Sequence, residues 1–103
     1  LLFNAARCFE AAYLLGNAVK ARKALLETFP DSQHYQQTLR ELGLNYQAIA
    51  YYAEAADRFE QYAGKFPKDE FASDALRNAY LFRLGLGEED KAQVDLTKYE
   101  DLY

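Results

Sequence analysis

The chain has no Met and no Trp, and among its 103 residues only one Cys, one His, two Pro and five Gly. A lone Cys8 excludes a disulfide within the chain and leaves the redox compartment open. Cys8 and His34 are the only thiol and imidazole, so a four-ligand structural zinc site within one chain is excluded. A Cys–His nucleophile needs both groups within hydrogen-bond reach and a third group to orient the base. These two lie in different segments. Cys8, beside Phe9, reads as a small buried hydrophobe, and His34, opening a helix after a loop, as a solvated side chain. No apolar run is long enough to cross a membrane, and no signal or transit peptide is visible. Strand-like alternation and low-complexity tracts are lacking too. Gly85-Leu86-Gly87 has no third Gly, following Lys or preceding strand, which makes it a helix stop and not a phosphate loop. Glu88, Glu89 and Asp90 lack the spacing of a calcium loop and read as negative charge on a helix start. No catalytic residue, metal ligand or cofactor site is expected.

Half of the residues are apolar, nine Tyr and seven Phe among them, enough for one modest domain with a core. Ala48, Tyr52, Ala55, Phe59, Tyr62 and Phe66 recur at alternating steps of four and three, one stripe of a helix. Glu54, Asp57, Arg58, Glu60, Gln61 and Lys65 occupy the opposite face. Upstream, Tyr35, Leu39, Leu42 and Tyr46 form a second stripe. Continued along one rod it would reach Glu60, out of phase by roughly 100°. Two helices with a break near 47–50 suit the pattern better than one.

A shift of 37 residues superposes Leu2, Leu39 and Leu76, then Ala18, Ala55 and Ala92. It does the same for Leu25, Tyr62 and Tyr99, and for Phe29, Phe66 and Tyr103. Phe29-Pro30 falls on Phe66-Pro67. A fixed period of this size marks stacked repeats, each burying its apolar face on its neighbours. The middle unit, Leu39-x-x-Leu42-Gly43-x-x-Tyr46 followed by Ala55-x-x-x-Phe59 and Pro67, resembles the tetratricopeptide repeat (TPR), with Leu39 where that family often has Trp. The likeness spans the whole chain, strongest in the middle unit. In the first unit Arg22 replaces the Phe and Ala6 the Gly. The repeats, longer than the family's period of about 34, are similar to those of bacterial envelope TPR proteins. The resemblance implies an all-α, right-handed α-solenoid of about three helix-turn-helix TPR-like repeats, with units near 1–30, 31–67 and 68–103 in one domain. With residue 1 inside a helix pattern, a segment of a longer protein is expected.

Helices are predicted over 1–14, 17–29, 33–46, 50–65, 70–84 and from Glu88 onward. The three extra residues after each Pro predict a first helix that begins a turn early in each pair. Gly16-Asn17 is the first turn signal, with Asn17 as cap, and Asp31 or Ser32 caps the third helix. Residues 47–53 carry neither Gly nor Pro, so a continuous helix with partners exchanged between two chains is the alternative there. Tyr13, Tyr51 and Tyr80 fall on no clear stripe and are assigned to repeat packing ahead of partner binding.

Residues 1–51 hold five basic and four acidic residues, and residues 52–103 hold seven and twelve. Such an acidic half disfavours nucleic acid or an anionic membrane as partner. In the TPR family the first helix of each pair lines a concave groove. Carried over residue by residue, Phe3, Arg40 and Arg77 share one groove position, Arg7, Leu44 and Leu81 a second, and Glu10, Gln47 and Leu84 a third. Arg7, Arg40 and Arg77 make a basic strip suited to an acidic or amphipathic peptide. The simpler alternative pairs them with Glu10, Glu41 and Asp74. The family's clamp for chaperone C-terminal carboxylates is not matched, since Phe3, Arg7, Glu41, Asp74 and Asn78 stand at its positions. The expectation is a non-catalytic scaffold holding a protein or peptide partner, with the bacterial periplasm or envelope favoured over the cytoplasm. Self-association, domain-swapped or not, and a helical accessory domain of a larger enzyme are the alternatives.

Overall fold

The computed structural model describes residues 1–103. Six helices follow one another: α1 (Leu2–Ala11), α2 (Leu15–Thr28), α3 (Tyr35–Ala48), α4 (Tyr52–Lys65), α5 (Ala72–Gly85) and α6 (Glu89–Leu102). Each packs chiefly on the helices before and after it in the chain, so the fold is an all-α repeat solenoid about 38 Å long. The 37-residue shift superposes helix ends as well as side chains. α2, α4 and α6 begin at residues 15, 52 and 89, and α1, α3 and α5 end at 11, 48 and 85.

Each pair turns in the same way. Tyr13, Ala50 and Gly87 adopt positive φ of 59°, 62° and 76°. Their N–H groups donate to the carbonyls of Glu10, Gln47 and Leu84, at 2.9, 3.1 and 3.0 Å. The next N–H groups, of Leu14, Tyr51 and Glu88, reach back to Phe9, Tyr46 and Arg83 at 2.7, 2.8 and 2.9 Å. These paired bonds form the Schellman arrangement, which satisfies carbonyls that a helix end leaves free. Only the third copy uses the residue that adopts αL without penalty. The alternative of one continuous α3–α4 helix is thus overturned at Ala50, where the chain reverses without Gly or Pro. The same motif moves the first turn. α1 ends at Ala11 and not at 14, and Gly16 and Asn17 lie inside α2, where Asn17 caps nothing.

The extra length after each Pro sits in the connection. Ser32 and Asp69 donate their N–H groups to Phe29 and Phe66, and Tyr35 and Ala72 donate to Ser32 and Asp69. The Ser32 hydroxyl and the Asp69 carboxylate accept from the N–H groups of His34 and Phe71, at 3.1 and 3.0 Å. These local bonds delay α3 and α5 to Tyr35 and Ala72, two residues later than predicted. No helix has a side-chain N-cap bond, so neither Asp31 nor Ser32 caps α3. No helix is long and apolar enough to cross a membrane.

Leu39, Leu42, Phe59, Tyr62, Leu76 and the alanines of α4 and α5 build the centre of the core. Phe59 is the ring around which the middle pair closes. A Cβ on Gly43 would stand 2.5 Å from its Cε1 and 2.8 Å from its Cδ1, so only glycine lets α3 and α4 approach this far. Cys8, by contrast, is exposed and not part of the core as expected.

Two substitutions test this geometry. Gly43→Ala is expected to lower stability by about 1–3 kcal/mol through overpacking, seen as a lower urea midpoint with unchanged slope. The control Gly64→Ala, whose Cβ meets nothing, should instead gain up to about 1 kcal/mol of helix propensity. Ala50→Gly relieves an αL residue and is expected to raise stability by about 0.5–1 kcal/mol. A continuous helix at this point would instead be weakened by the new glycine.

Candidate functional site

The nine residues assigned to the groove all belong to α1, α3 and α5, the first helices of the three pairs. Contacts along this face repeat with the period. The Phe3 ring stacks on His34 at 4.0 Å, and 37 residues on, the Arg40 guanidinium lies over the Phe71 ring at 4.4 Å. His34 is therefore a half-buried packing partner, not the solvated side chain expected of it. Cation–π stacking uses the face of the guanidinium and leaves its edge N–H groups free to donate. Arg77 repeats the position of Phe3 and Arg40 on α5, where its guanidinium pairs with Asp74 at 3.3 Å and is otherwise exposed. Arg7 leans towards Phe3, 5.8 Å from the ring centre. Leu44 and Leu81 are exposed beside them, Leu81 by 53%, and Gln47 and Leu84 are also open to solvent. Of the three local ion pairs weighed for these arginines, Arg77–Asp74 alone forms.

Glu10 and Glu41 are engaged elsewhere. Arg22 of α2 is 2% exposed. Its Nη1 donates to Glu10 of α1 at 2.5 Å and to the buried Asn45 of α3, and its Nη2 lies 2.9 Å from Glu41. Asn45 also donates to Glu10 at 2.8 Å. The Arg22 and Asn45 hydrogen bonds hold the Glu10 carboxyl below its usual range. Glu10 thus faces the α1–α2–α3 junction with its carboxylate, although part of its side chain is exposed.

A second buried arginine sits between the other two pairs. Arg83 of α5, 2% exposed, donates to Glu60 and Asp57 of α4 at 2.8 and 2.5 Å, and to Glu88 at 3.0 Å. The Glu60 hydrogen bonds first of all, with those of Asp57 and Glu88, keep the guanidinium charged well beyond its usual range. Burial works to raise the Glu60 carboxyl, but Arg83 overrides it and holds it low. Asp95 of α6, buried against the same Glu60, moves the other way: burial, then the Glu60 carboxylate, pushes it up to about 8. The Asp95 Oδ2 has no hydrogen-bond partner. Neither arginine was singled out as buried by periodicity. One signal was present, because Arg22 falls where the 37-residue shift places Phe59.

The largest hollow, about 800 Å³, opens at the start of the stack among Leu2, Phe3, Leu25, Phe29 and Pro30. In the middle unit its counterpart is smaller, about 260 Å³ beside Gln36, Arg40, Tyr62 and Asp69. Tyr35 packs on Phe66, and the Gln36 amide donates to the Tyr62 hydroxyl at 3.1 Å. That hydroxyl in turn donates to Asp69 at 2.5 Å. Tyr13 projects into solvent at the first pair turn, 90% exposed, so packing within the repeat does not account for it; Tyr51, though exposed, stacks on Tyr46 with ring centres 6.4 Å apart, and Tyr80 is half-buried.

Comparison with family models and with curated proteins returns no match.

The Asp95–Glu60 pair carries a pH signature. An Asp of normal pKa near 3.8 in the unfolded chain and about 8 in the folded one favours folding below the lower value. That contribution is lost as pH rises through the upper value. Asp95→Asn keeps a donor towards Glu60 and removes the titration. The variant is expected to match wild type near pH 4 and to exceed it by about 1–3 kcal/mol near pH 8, measured by denaturant unfolding across that range.

Proposed function

We propose that the chain is a non-catalytic scaffold segment that holds a protein or peptide partner along the face made by α1, α3 and α5. One observation carries the reading. Arg40 with Leu44 on α3, and Arg77 with Leu81 on α5, repeat on the first helices of successive pairs as exposed guanidinium–leucine pairs, one turn apart within each helix. An amphipathic segment with carboxylates and apolar side chains on alternating turns complements that pattern, since guanidinium edges bind carboxylates bidentately and leucines cover apolar surface. Arg40 is preset by its stack on Phe71, which lowers the ordering cost of binding. The same partner chemistry follows from the TPR resemblance, and that resemblance also motivates a bacterial envelope setting.

The test uses a fluorescent synthetic helix with Glu and Leu alternating along one face. Arg40→Glu with Arg77→Glu should weaken its binding by about tenfold or more, because each reversal removes a charge-assisted contact and adds a repulsive one. Lys20→Glu and Lys68→Glu, both outside this face, should leave binding unchanged. Equal affinity for wild type and the Arg variants would count against the strip as the binding surface.

A further inference from the structure

Gly43 makes room for a neighbouring ring, but a Cβ on Gly85, the last residue of α5, would meet nothing. Gly85 borders a hollow of about 280 Å³ between the start of α4 and the end of α5, walled by Tyr52, Leu81, Phe82 and Leu86. The rings of Tyr52 and Phe82, 5.1 Å apart between centres, make one side of it aromatic. Tyr52, Leu81 and Leu86 are all exposed, so its mouth is open. The lining comes from α4, α5 and the turn after α5, with nothing from α1 or α6. Leu44, placed on Leu81 by the 37-residue shift, stays 38% exposed with the third pair beside it. A following pair therefore leaves this position open.

Size and charge say what fits. Pockets for whole ligands run from about 300 Å³ upward, so this hollow suits one bulky side chain. No charged side chain lines it, and the Tyr52 and Phe82 rings favour an aromatic occupant. Leu81 belongs to the groove strip as well, with Arg77 one turn before it and Gly85 one turn after. Arg77 thus stands roughly 6–12 Å from the hollow along α5, and only the exposed Asp74 faces it. Arg40 holds the same level on α3, by the 37-residue shift. We infer that the partner held on this face is an acidic amphipathic helix with one aromatic side chain. That side chain seats in the hollow beside Gly85, and carboxylates one to two turns away on the same face meet Arg77 and Arg40. This anchor rests on the peptide-binding reading above and specifies what the partner must carry.

The probe is a fluorescent synthetic helix with a central Phe and with Glu four and seven residues to either side, so that both chain directions present the pattern. Replacing its Phe by Ala should weaken binding to wild type by about ten- to a hundredfold. Moving the Phe two residues along, roughly 200° off the Glu face, should do the same. Gly85→Leu adds a side chain at the hollow where its Cβ meets no other atom. It should lower affinity for the Phe helix to that for the Ala helix and leave the Ala helix unchanged. Gly64→Leu, equally free of contacts but at the far end of α4, should alter neither. Arg40→Glu with Arg77→Glu should weaken both helices. If Phe and Ala helices bind wild type equally while the arginine variants weaken both, the hollow is no anchor site although the groove still binds peptide. Gly85→Leu acting on both helices alike, or on neither, would also overturn the anchor. No binding of either helix at about 1 mM would overturn the anchor and the groove together.

Discussion

The close approach of α4 to α3, with the Phe59 ring seated against the bare backbone of Gly43, sets the geometry from which the rest of the stack follows. The ring is fully buried and touches Phe71 and Phe82 of the next pair as well, at 5.7 and 6.2 Å between centres. One side chain therefore closes a helix pair and joins that pair to its neighbour. Burying it contributes about 1.5–3 kcal/mol, and edge-to-face packing on Phe71 adds specificity of angle. In the first pair the equivalent position is Arg22, facing Ala6 by the same shift. It joins neighbours by charge and not by shape, through Glu10, Glu41 and Asn45. A buried ion cluster contributes little net stability, because desolvation offsets most of the Coulombic gain. What it does supply is register, since a slipped junction would leave a buried guanidinium without acceptors.

The turns explain why the period is so regular. Each helix pair is closed by a residue in αL, whether that residue is Tyr13, Ala50 or Gly87. Strain of about 1 kcal/mol at a non-glycine αL position is tolerated because the alternative, a continuous helix, would carry the α3 stripe round to solvent and strand Leu39 and Leu42. Packing overrides local propensity here. The connection after each Pro is equally repetitive, and its Ser32 and Asp69 bonds make up the residues by which the period exceeds that of a shorter helical repeat.

That contrast marks what could be read from residue order. Periodic apolar positions are visible in sequence because burial acts on every helix in the same way, so the solenoid, its six helices and the break between α3 and α4 were all legible. The turn residue was not, because αL at Ala50 is imposed by the helices on either side of it. Gly16-Asn17 misled for the matching reason: a residue permissive of turns is not required to make one. The buried arginines escaped because a charged residue on an apolar stripe looks like an error until its partners are known. Those partners come from other helices, Glu10, Glu41 and Asn45 for Arg22, and Asp57 and Glu60 for Arg83. Cys8 was misplaced because its position is buried only where another pair packs beside it, as Asn45 shows one period later.

The two arginine clusters also shape the outer surface. Arg22 and Arg83 take up five carboxylates, those of Glu10, Glu41, Asp57, Glu60 and Glu88, in the junctions between pairs. Five of the sixteen acidic residues are thereby neutralised locally, against only two of the twelve basic ones. Arg7 and Arg40 are left with aromatic rings as their close partners, and Arg77 with one exposed aspartate. An exposed pair of that kind is screened and worth little. The α1, α3 and α5 face is therefore more positive than the net charge of −4 suggests. Two buried guanidinium groups, Arg22 and Arg83, draw these carboxylates to themselves and hold the pairs in register, while Arg40 and Arg77, beside leucines on α3 and α5, are left outward. Because the same junctions that fix the stack also strip the face of its counter-charges, the electrostatics of that face are a consequence of how the repeats pack.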